Sequence, residues 1–397
     1  MKDVKISDYL WFQEGPGVRN TQYTTSGVKL INVANLVDGN VDLSTSDRYI
    51  SEEEAYGKYN HFLADDGDFV IASSGIKIDY FDKKMGFIKK EHLPLCMNTS
   101  CIRFKVLDTN NLEIKYFMYY LKSNSFKKQL FNQITGSAQL NFGPSHLKKM
   151  TFPLIELKEQ KRIIERLDKT QNIINETKSL LSKYDTLIKS RFIEMFGDIS
   201  TGNYKFETRK LGSVSEVGSS HRVFTTEFVE QGVPFYRGTE IGMLANGQQP
   251  EEPFYISEEH YNRLTEHDSK PKIGDLLMPS ICNKGQVWMV DTDTPFYYKD
   301  GRVLSISPNQ KIYNSKYLQY FMREKTIVEY PKLGSGSTFA EFKIFLLKDI
   351  DVLTPPISLQ NTFASFVQQI DKSKFAVQKS LEKTETLYKS LMQEYFG

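Results

Sequence analysis

Few residues of this sequence have the types and spacing that enzymes use for chemistry. Asp108, Glu113 and Lys115 lie close together, and two carboxylates with a lysine can hold a metal ion and activate water in a nuclease. The same residues lie where a helix is predicted to begin, and charged residues at a helix start are commonly solvated caps. We therefore interpret them as helix-cap residues.

Other catalytic motifs are incomplete. Residues 354–357 (Thr-Pro-Pro-Ile) have the prolines of an amino-methyltransferase motif but lack its amide acceptor and its aromatic residue. Residues 334–337 (Gly-Ser-Gly-Ser) are not followed by the lysine of a phosphate-binding loop, which argues against a helicase motor. The six histidines show no His-Glu-x-x-His spacing, and no Gly-x-Ser-x-Gly elbow is present. The sequence is therefore interpreted as that of a binding protein.

The composition is that of a globular chain with balanced charge. The 397 residues are 40% hydrophobic and carry a formal charge of +2, so any nucleic-acid surface must be a local concentration of Lys and Arg. No apolar run approaches the length of a membrane span, and the early sequence has no signal-peptide core, so we expect a cytoplasmic protein without a membrane partner. Cys96, Cys101 and Cys282 lack metal-ligand spacing, and we expect reduced, mostly buried thiols.

A long helix is predicted over residues 160–197. Neither Pro nor Gly interrupts this stretch before Gly197, a residue type that commonly follows the end of a helix. Roughly 35 residues of helix would make a rod 50 Å long. Apolar or small residues recur at alternating steps of four and three, which is typical of a seam between two helices. These residues are Ile163, Leu167, Thr170, Ile174, Thr177, Leu181, Tyr184 and Ile188.

The chain contains an internal repeat with an offset of 200 residues. Residues 360–397 place apolar or small residues in the same seam positions, namely Phe363, Val367, Ile370, Val377, Leu381, Thr384 and Tyr388. A repeat of this length indicates a duplicated unit made of a domain and a helix. We expect the two helices to pair antiparallel within one chain; a parallel coiled coil between two chains is the competing interpretation.

The segments that precede each long helix also correspond. Tyr-Ile-Ser-Glu-Glu occurs twice, and its serines, Ser51 and Ser257, are predicted helix N-caps. Two strands joined by a turn at Asp38-Gly39 are predicted within residues 29–43, with a counterpart at residues 232–247.

Each domain is predicted to close with a helix, over residues 113–132 in the first copy and 314–330 in the second. Tyr116, Phe117, Tyr119 and Tyr120 on the first of these helices are expected in the core. The predicted divisions of the chain are residues 1–152, 153–200, 201–352 and 353–397.

A resemblance to a known family is carried most clearly by residues 140–169 and more weakly by residues 342–371. The paired stretches 67–75 and 274–285 also contribute to it. The whole chain resembles the specificity subunit of type I restriction–modification systems. That family usually has Pro-x-Pro-Pro-Leu-x-Glu-Gln before each long helix. The first copy here reads Pro-Leu-Ile-Glu-Leu-Lys-Glu-Gln, whereas the second reads Pro-Pro-Ile-Ser-Leu-Gln and lacks the Glu.

The resemblance implies an α+β fold in which two similar α/β target-recognition domains are separated by a pair of long antiparallel coiled-coil helices, a pseudo-two-fold internal repeat. Each domain would read one half of a split site in double-stranded DNA. Two modification (methyltransferase) subunits would hold S-adenosylmethionine, and restriction subunits would use ATP and Mg²⁺. By this resemblance the chain itself binds no cofactor and is not an enzyme.

DNA recognition needs polar and basic side chains on loops that reach the groove and the phosphates. Between the two copies of the repeat, we expect Ser73, Ser74 and Lys77 to correspond to Asn283 and Lys284. We expect Asn35 to lie near the position equivalent to Arg237, Thr239 and Glu240. No catalytic residue and no metal ligand is predicted. The predicted DNA-binding residues are Arg19, Asn20, Asn35, Ser73, Ser74, Lys77, Lys83, Lys84, Lys89, Lys90, Ser137, Arg222, Arg237, Thr239, Asn283, Lys284, Lys299, Arg302 and Thr338.

Two other functions remain open from the sequence. A coiled-coil scaffold could bind proteins through its globular domains, and the recognition subunit of a related type II restriction enzyme could share this organisation. Basic side chains from both globular domains on one concave face would favour DNA, whereas an even or acidic distribution would favour the scaffold.

Overall fold

The computed structural model describes residues 2–133, 140–266, 270–333 and 340–397. The chain divides into two compact units. Unit 1 comprises Met1–Lys178 and Lys379–Gly397, and unit 2 comprises Ser179–Gln378. Each unit contains a globular α/β part and portions of both long helices. The four divisions predicted from the sequence treat the helices as separate segments and stay a prediction.

Unit 1 is built on a four-stranded antiparallel sheet of order β2-β11-β7-β9 and a three-stranded sheet of order β10-β3-β6, in which β10 and β3 are parallel. Its strands are β1 Lys2–Lys5, β2 Leu10–Glu14, β3 Val28–Ile31, β4 Leu36–Val37, β5 Asn40–Val41, β6 Tyr49–Ile50, β7 Phe69–Ala72, β8 Ser74–Ile76, β9 Met85–Phe87, β10 Leu95–Met97, β11 Cys101–Val106, β12 Leu140–Asn141 and β13 Thr151–Leu154. Its helices are α1 Ile6–Tyr9, α2 Glu52–Tyr56, α3 Ile114–Leu121, α4 Asn124–Gln133, α5 Pro144–Leu147 and α6 Leu157–Phe196, which continues into unit 2.

Unit 2 repeats this plan with an antiparallel sheet of order β17-β24-β21-β22 and a second sheet of order β18-β20-β19-β23, in which β19 and β23 are parallel. Its strands are β14 Gly197–Asp198, β15 Asn203–Tyr204, β16 Thr208–Lys210, β17 Ser215–Ser219, β18 Phe228–Val229, β19 Val233–Tyr236, β20 Phe254–Ile256, β21 Leu276–Pro279, β22 Trp288–Met289, β23 Tyr297–Tyr298, β24 Val303–Pro308 and β25 Asp351–Leu353. Its helices are α7 Leu211–Val214, α8 Gly238–Ala245, α9 Glu258–Thr265, α10 Ser315–Glu329, α11 Ile344–Lys348 and α12 Ile357–Phe396, which continues into unit 1.

The two long helices are confirmed, and each begins three residues earlier than predicted. Gly197 follows α6 with a φ of +99°, a left-handed conformation that glycine adopts without strain. None of the described helices is long and apolar enough to span a membrane.

The helices pair antiparallel in each unit, as the seam predicts. In unit 1 the start of α6 meets the end of α12, because Arg166 donates a 2.8 Å hydrogen bond to the Tyr395 hydroxyl and Lys178 lies 2.7 Å from Glu385. In unit 2 the end of α6 meets the start of α12, and the Phe192 ring lies 5.4 Å from that of Phe363.

Several local predictions are confirmed. The Ser51 hydroxyl accepts the Glu54 N–H at 3.2 Å, and the Ser257 hydroxyl accepts the His260 N–H at 3.1 Å, so both serines are N-caps. Asp38 and Gly39 have positive φ between β4 and β5, as a two-residue hairpin turn requires. The four aromatic residues Tyr116, Phe117, Tyr119 and Tyr120 are buried.

Two element predictions are wrong. The helix predicted over residues 113–132 is two helices, because the buried Ser123 hydroxyl accepts the Phe126 N–H at 3.2 Å and starts a new helix. The proposed strand-turn-strand counterpart at residues 232–247 is β19 followed by helix α8. The Glu240 carboxylate accepts the backbone N–H of Arg237 at 2.8 Å, which caps this helix start.

A buried glutamine joins each long helix to its globular part. In unit 1 the Gln160 side chain accepts the Glu113 N–H at 2.9 Å and donates to the carbonyls of Asn111 and Ile155, at 2.9 and 2.8 Å. In unit 2 the Gln360 side chain makes the equivalent three bonds. It accepts from Asn314 and donates to Ile312 and Pro355 at 3.0, 2.9 and 2.8 Å.

Both glutamines are fully buried. Their amides therefore satisfy backbone groups that water cannot reach.

Replacing Gln360 by alanine should lower the free energy of unfolding by about 1–3 kcal/mol, since three backbone groups lose a partner in a buried place. Denaturant unfolding followed by circular dichroism measures this change. Gln368→Ala is the matched control, because Gln368 lies exposed on the same helix. Equal stability of the two variants would show that the buried amide contributes nothing.

Candidate nucleic-acid interface

Unit 1 contains a cleft of about 540 Å³ with three of the predicted lysines at its wall. We call it the lysine cleft; it is lined by Val37, Asp38, Gly75, Ile76, Lys77, Tyr80, Lys83 and Lys84. The hairpin β4–β5 supplies one wall, and β8 with the segment that follows it supplies the other. Gly75, within β8, has a φ of +75°, a left-handed conformation that glycine adopts without strain.

The cations of the lysine cleft are only loosely held. The Lys77 side chain is exposed, and Lys83, 56% exposed, lies 3.7 Å from Asp38. Lys84 donates to the carbonyl of Val33 at 3.2 Å. Tyr80, which was not predicted, is 55% exposed between them. Its position between lysines in the sequence was the available signal for an aromatic residue on a basic surface.

Two predicted residues of unit 1 are buried. Asn35 accepts the Asn32 N–H at 3.1 Å and donates to the Asp42 carbonyl at 3.1 Å, so its amide holds the local turn. Ser73 is also fully buried, and its hydroxyl lies 3.4 Å from the Thr99 carbonyl. A base contact would require either side chain to break these bonds, so we leave both out of the candidate surface.

The remaining predicted residues of unit 1 do not line the lysine cleft. Ser74 is half-buried on β8, next to Gly75. Arg19 and Asn20 are exposed where a short 3₁₀ helix begins, and the Arg19 N–H donates to Gln22 at 3.0 Å. Lys89 and Lys90 are exposed at another such turn, with the Lys89 ammonium 3.6 Å from Glu91.

Unit 2 carries three predicted arginines on neighbouring segments, and we call Arg222, Arg237 and Arg302 the arginine cluster. The parallel strands β19 and β23 end side by side, and the Lys299 N–H, one residue beyond β23, donates to the Tyr236 carbonyl at 2.9 Å. The following turn carries Asp300 and Arg302. A β-carbon at Gly238 would lie 3.7 Å from the Arg302 carbonyl, so the start of α8 packs against this turn.

Arg237 is the most constrained member of the cluster. Its Nε and Nη2 atoms donate to the two oxygens of Glu240 at 3.1 and 2.6 Å, and its guanidinium carbon lies 4.6 Å from the centre of the Phe254 ring. Burial alone would raise the pKa of the Glu240 carboxyl, but hydrogen bonds from the Arg237 side chain and backbone outweigh it and lower that pKa. The pair is therefore ionised at neutral pH.

Arg222 and Arg302 are each paired with a carboxylate through a single bond. Arg302 Nη1 donates to Glu341 at 2.7 Å, and Arg222 Nε donates to Asp300 at 3.3 Å. Hydrogen bonding by Lys343 is the largest influence that lowers the pKa of the Glu341 carboxyl, and the Arg302 charge acts in the same direction. Both guanidinium groups remain more than half exposed.

The other predicted residues of unit 2 are mostly exposed. Thr239 is exposed in the first turn of α8, and Lys299 is half-buried at the end of β23. Asn283 and Lys284 are exposed on the turn after β21, which packs on α10 through Cys282, 3.6 Å from the Thr326 hydroxyl. Ser137 and Thr338 lie outside the described residues.

Hydrogen bonds correct the sequence pairing of the loops. The Ser73 carbonyl accepts the Phe142 N–H at 3.0 Å, and the Ser280 carbonyl accepts the Phe342 N–H at 2.8 Å. Ser73 therefore corresponds to Ser280, which was not predicted, and not to Asn283. Asn35 corresponds to Glu240, one of the three residues near which the sequence places it, because each caps the start of a helical turn three residues after its own N-cap residue.

The Asp108, Glu113 and Lys115 group does not converge on one site. Asp108 accepts the Asn110 N–H at 2.9 Å, while Lys115 lies 2.8 Å from Asp168 and Glu113 lies 3.4 Å from Lys161. Among the described residues, no three side chains of the His, Cys, Asp or Glu type are placed to share a metal ion.

The three cysteines are free and buried. Burial raises the pKa of the Cys96 and Cys101 thiols to about 12 and that of Cys282 to about 11. Because the thiolate is the nucleophile, these residues are poorly suited to covalent catalysis at neutral pH.

The native protein should therefore react very slowly with a thiol reagent at pH 8, whereas the unfolded chain should expose all three thiols. Absorbance with 5,5′-dithiobis(2-nitrobenzoate), measured with and without guanidinium chloride, tests this expectation. Fast labelling of one equivalent in the native protein would contradict the burial of that cysteine.

Comparison with known proteins gives a consistent result. Residues 19–182 match the type I restriction modification DNA specificity domain. The MjaVIII specificity subunit of a type I restriction enzyme from Methanocaldococcus jannaschii is 27% identical over 175 residues, covering 43% of this chain and 39% of that protein. A protein assigned as the MjaX specificity subunit of the same organism is 24% identical over 391 residues, covering 92% and 85%.

Two solved structures share the fold. The type I restriction–modification S subunit from M. genitalium aligns with a TM-score of 0.52 at 16% identity, over 100% of this chain and 96% of that one. A chain from a study of complex assembly and conformational transition of the type I R-M system has the same TM-score at 15% identity, over 98% and 97%. These comparisons confirm the resemblance predicted from the sequence.

Proposed function

We propose, from the premise that this chain belongs to the family of type I restriction–modification specificity subunits, that it recognises a specific split sequence in double-stranded DNA. Unit 1 would read one half of the target and unit 2 the other. The observation that carries this proposal is that the two units share one hydrogen-bonded frame but present different basic side chains on it.

The shared frame consists of the buried glutamines Gln160 and Gln360 and the backbone bonds of Ser73 and Ser280. The side chains beside it differ. Ser73 N–H donates to the carbonyl of Ser100, whereas Ser280 N–H donates to that of Arg302, so a serine and an arginine occupy equivalent positions. A scaffold shared by the two units, with unlike groups beside it, is what two different half-sites require.

The two surfaces also differ in the kind of contact they favour. The lysine cleft offers mobile point charges, which suit phosphate oxygens, with Tyr80 as an apolar contact beside them. The arginine cluster offers planar guanidinium groups held by carboxylates, which suit base edges and phosphates. Both surfaces carry Lys or Arg side chains, which suit a polyanion such as DNA.

The chemistry would reside on partner subunits. We propose that two modification subunits bring S-adenosylmethionine and methylate adenine, and that restriction subunits join with ATP and Mg²⁺. The long helices offer them a docking surface, since Ile173 in unit 1 and Leu180 and Leu187 in unit 2 are 42%, 40% and 46% exposed. The chain itself would position these partners without catalysing a reaction.

A map of methylated adenines tests the recognition role. We expect cells that produce this chain with its modification subunit to show a new methylated motif of two short specified blocks around a fixed gap. Single-molecule sequencing of genomic DNA detects such a motif. Cells that produce the modification subunit alone are the control. Identical maps, with an active modification subunit and a soluble chain, would contradict the proposed function.

The lysine cleft can be tested on the target so identified. Lys77→Ala combined with Lys83→Ala should weaken binding and make the slope of log K against log salt shallower by about 2, because two phosphate contacts are lost. Fluorescence anisotropy of a labelled duplex at several salt concentrations measures both effects.

Lys2→Ala combined with Lys5→Ala is the matched control, since these exposed lysines on β1 remove the same charge from unit 1 outside the cleft. An equal change in slope for both double variants would show that the lysine cleft has no special part in binding.

A further inference from the structure

We propose that Arg237 reads a guanine in the half-site contacted by unit 2, and that Glu240 and Phe254 are the positioning residues that fix its orientation. This inference rests on the proposed function, and it assigns a base type to one side chain. It follows from which donor atoms of Arg237 are used inside the protein and which remain for a ligand.

One edge of the Arg237 guanidinium is already occupied. Nε and Nη2 donate to Glu240, whose side chain is 6% exposed and whose carboxylate also accepts the Arg237 backbone N–H. Among the described residues Nη1 has no hydrogen-bond partner, and the second hydrogen of Nη2 points to the same free edge. Arg237 is 43% exposed, so this end-on edge is open to a ligand.

The rings of Phe254 and Phe228 restrict the remaining motion of the Arg237 guanidinium. The guanidinium lies 4.6 Å from the Phe254 ring centre, and Phe254 stacks on Phe228 with centroids 4.8 Å apart and an interplanar angle of 15°. The ring face fixes the plane of the guanidinium and the Glu240 carboxylate fixes its rotation in that plane. Little side-chain entropy is then lost when the free edge binds a ligand.

The free edge matches guanine better than the other bases. Two parallel N–H donors fit the two acceptors O6 and N7 of guanine in the major groove, whereas adenine offers one acceptor beside a donor at that edge. A phosphate would also accept two N–H groups from Arg237, but such a contact would not discriminate among sequences.

Arg237 is held differently from the two neighbouring arginines and from the residue at the equivalent position of unit 1. Arg302 and Arg222 each have one side-chain bond to a carboxylate, so their planes are less constrained. In unit 1 the N-cap residue equivalent to Arg237 is Asn32, which is 6% exposed and bonded inside the turn. The guanine contact is therefore a property of unit 2 alone.

In the first step of the test, the full-length chain with its modification subunit selects its binding site from a library of random double-stranded DNA. We expect a guanine in one block. Replacing that guanine by 7-deazaguanine, which keeps base pairing but removes the N7 acceptor, should weaken wild-type binding roughly 10-fold, as for a hydrogen bond to a charged group. Arg237→Ala should bind both duplexes equally.

The variants separate a reading role from a structural one. Arg237→Lys keeps the charge but loses the planar pair of donors, so it should also lose the preference for guanine over 7-deazaguanine. Glu240→Gln should weaken that preference while leaving selection of the other block unchanged. Arg209→Ala is the matched control, because Arg209 is an exposed arginine of unit 2 paired with Glu207 outside the arginine cluster.

The outcomes distinguish this inference from the proposed function. Failure of the wild-type complex to select any sequence would contradict the proposed function. A selected site whose every guanine is equally sensitive to 7-deazaguanine in wild type and Arg237→Ala would contradict the reading role while leaving recognition intact. Selection of the other block by Arg237→Ala shows that the variant is folded, and circular dichroism provides an independent check.

Discussion

The rest of the structure depends on the buried side-chain amide that holds the start of each long helix. The first turn of a helix has backbone N–H groups without internal partners, and a long polar helix has little apolar surface of its own to fix its direction. Gln160 and Gln360 each make three hydrogen bonds, and each joins the first turn of its helix to the start of a helix in the globular part. Each long helix is thereby held to its globular part at a defined place.

This constraint explains why the two units share buried backbone hydrogen bonds while exposed side chains differ between them. A buried donor or acceptor without a partner destabilises the fold, so the backbone bonds of Ser73 and Ser280 and those of the two glutamines recur in both units. An exposed side chain does not need a hydrogen-bond partner inside the protein. Arg302 can therefore occupy the position that Ser100 has in unit 1 without a change in the scaffold beneath it.

Sequence patterns predicted the parts of this structure that depend on local geometry. The spacing of the seam residues and the glycine at 197 located α6 within three residues, and serines followed by glutamates located two helix starts. The 200-residue offset predicted the repeat. These features succeed because their cause lies within one or two turns of the chain.

The site was less predictable because burial and ion pairing join residues that are distant in sequence. Nothing near Asn35 distinguishes a turn amide that is bonded inside the protein from one that faces solvent, and only its contact with Asp42 settles the matter. Arg302 meets Glu341, and Arg222 meets Asp300, across separations of 39 and 78 residues. Such pairs become visible only once the strands that carry them are in place.

Under the proposed function, the two basic surfaces represent different physical solutions to binding a polyanion. A lysine on a flexible stem adapts to a phosphate and binds it in several geometries, which favours affinity over discrimination. An arginine held by a carboxylate and a ring can bind in fewer geometries, so a mismatched partner leaves its donors unsatisfied. Glu240 lowers the positive charge near Arg237 and so weakens attraction to phosphate, yet it fixes the donor edge. Under the proposed function, that combination would reduce nonspecific binding while keeping the contact that depends on the base.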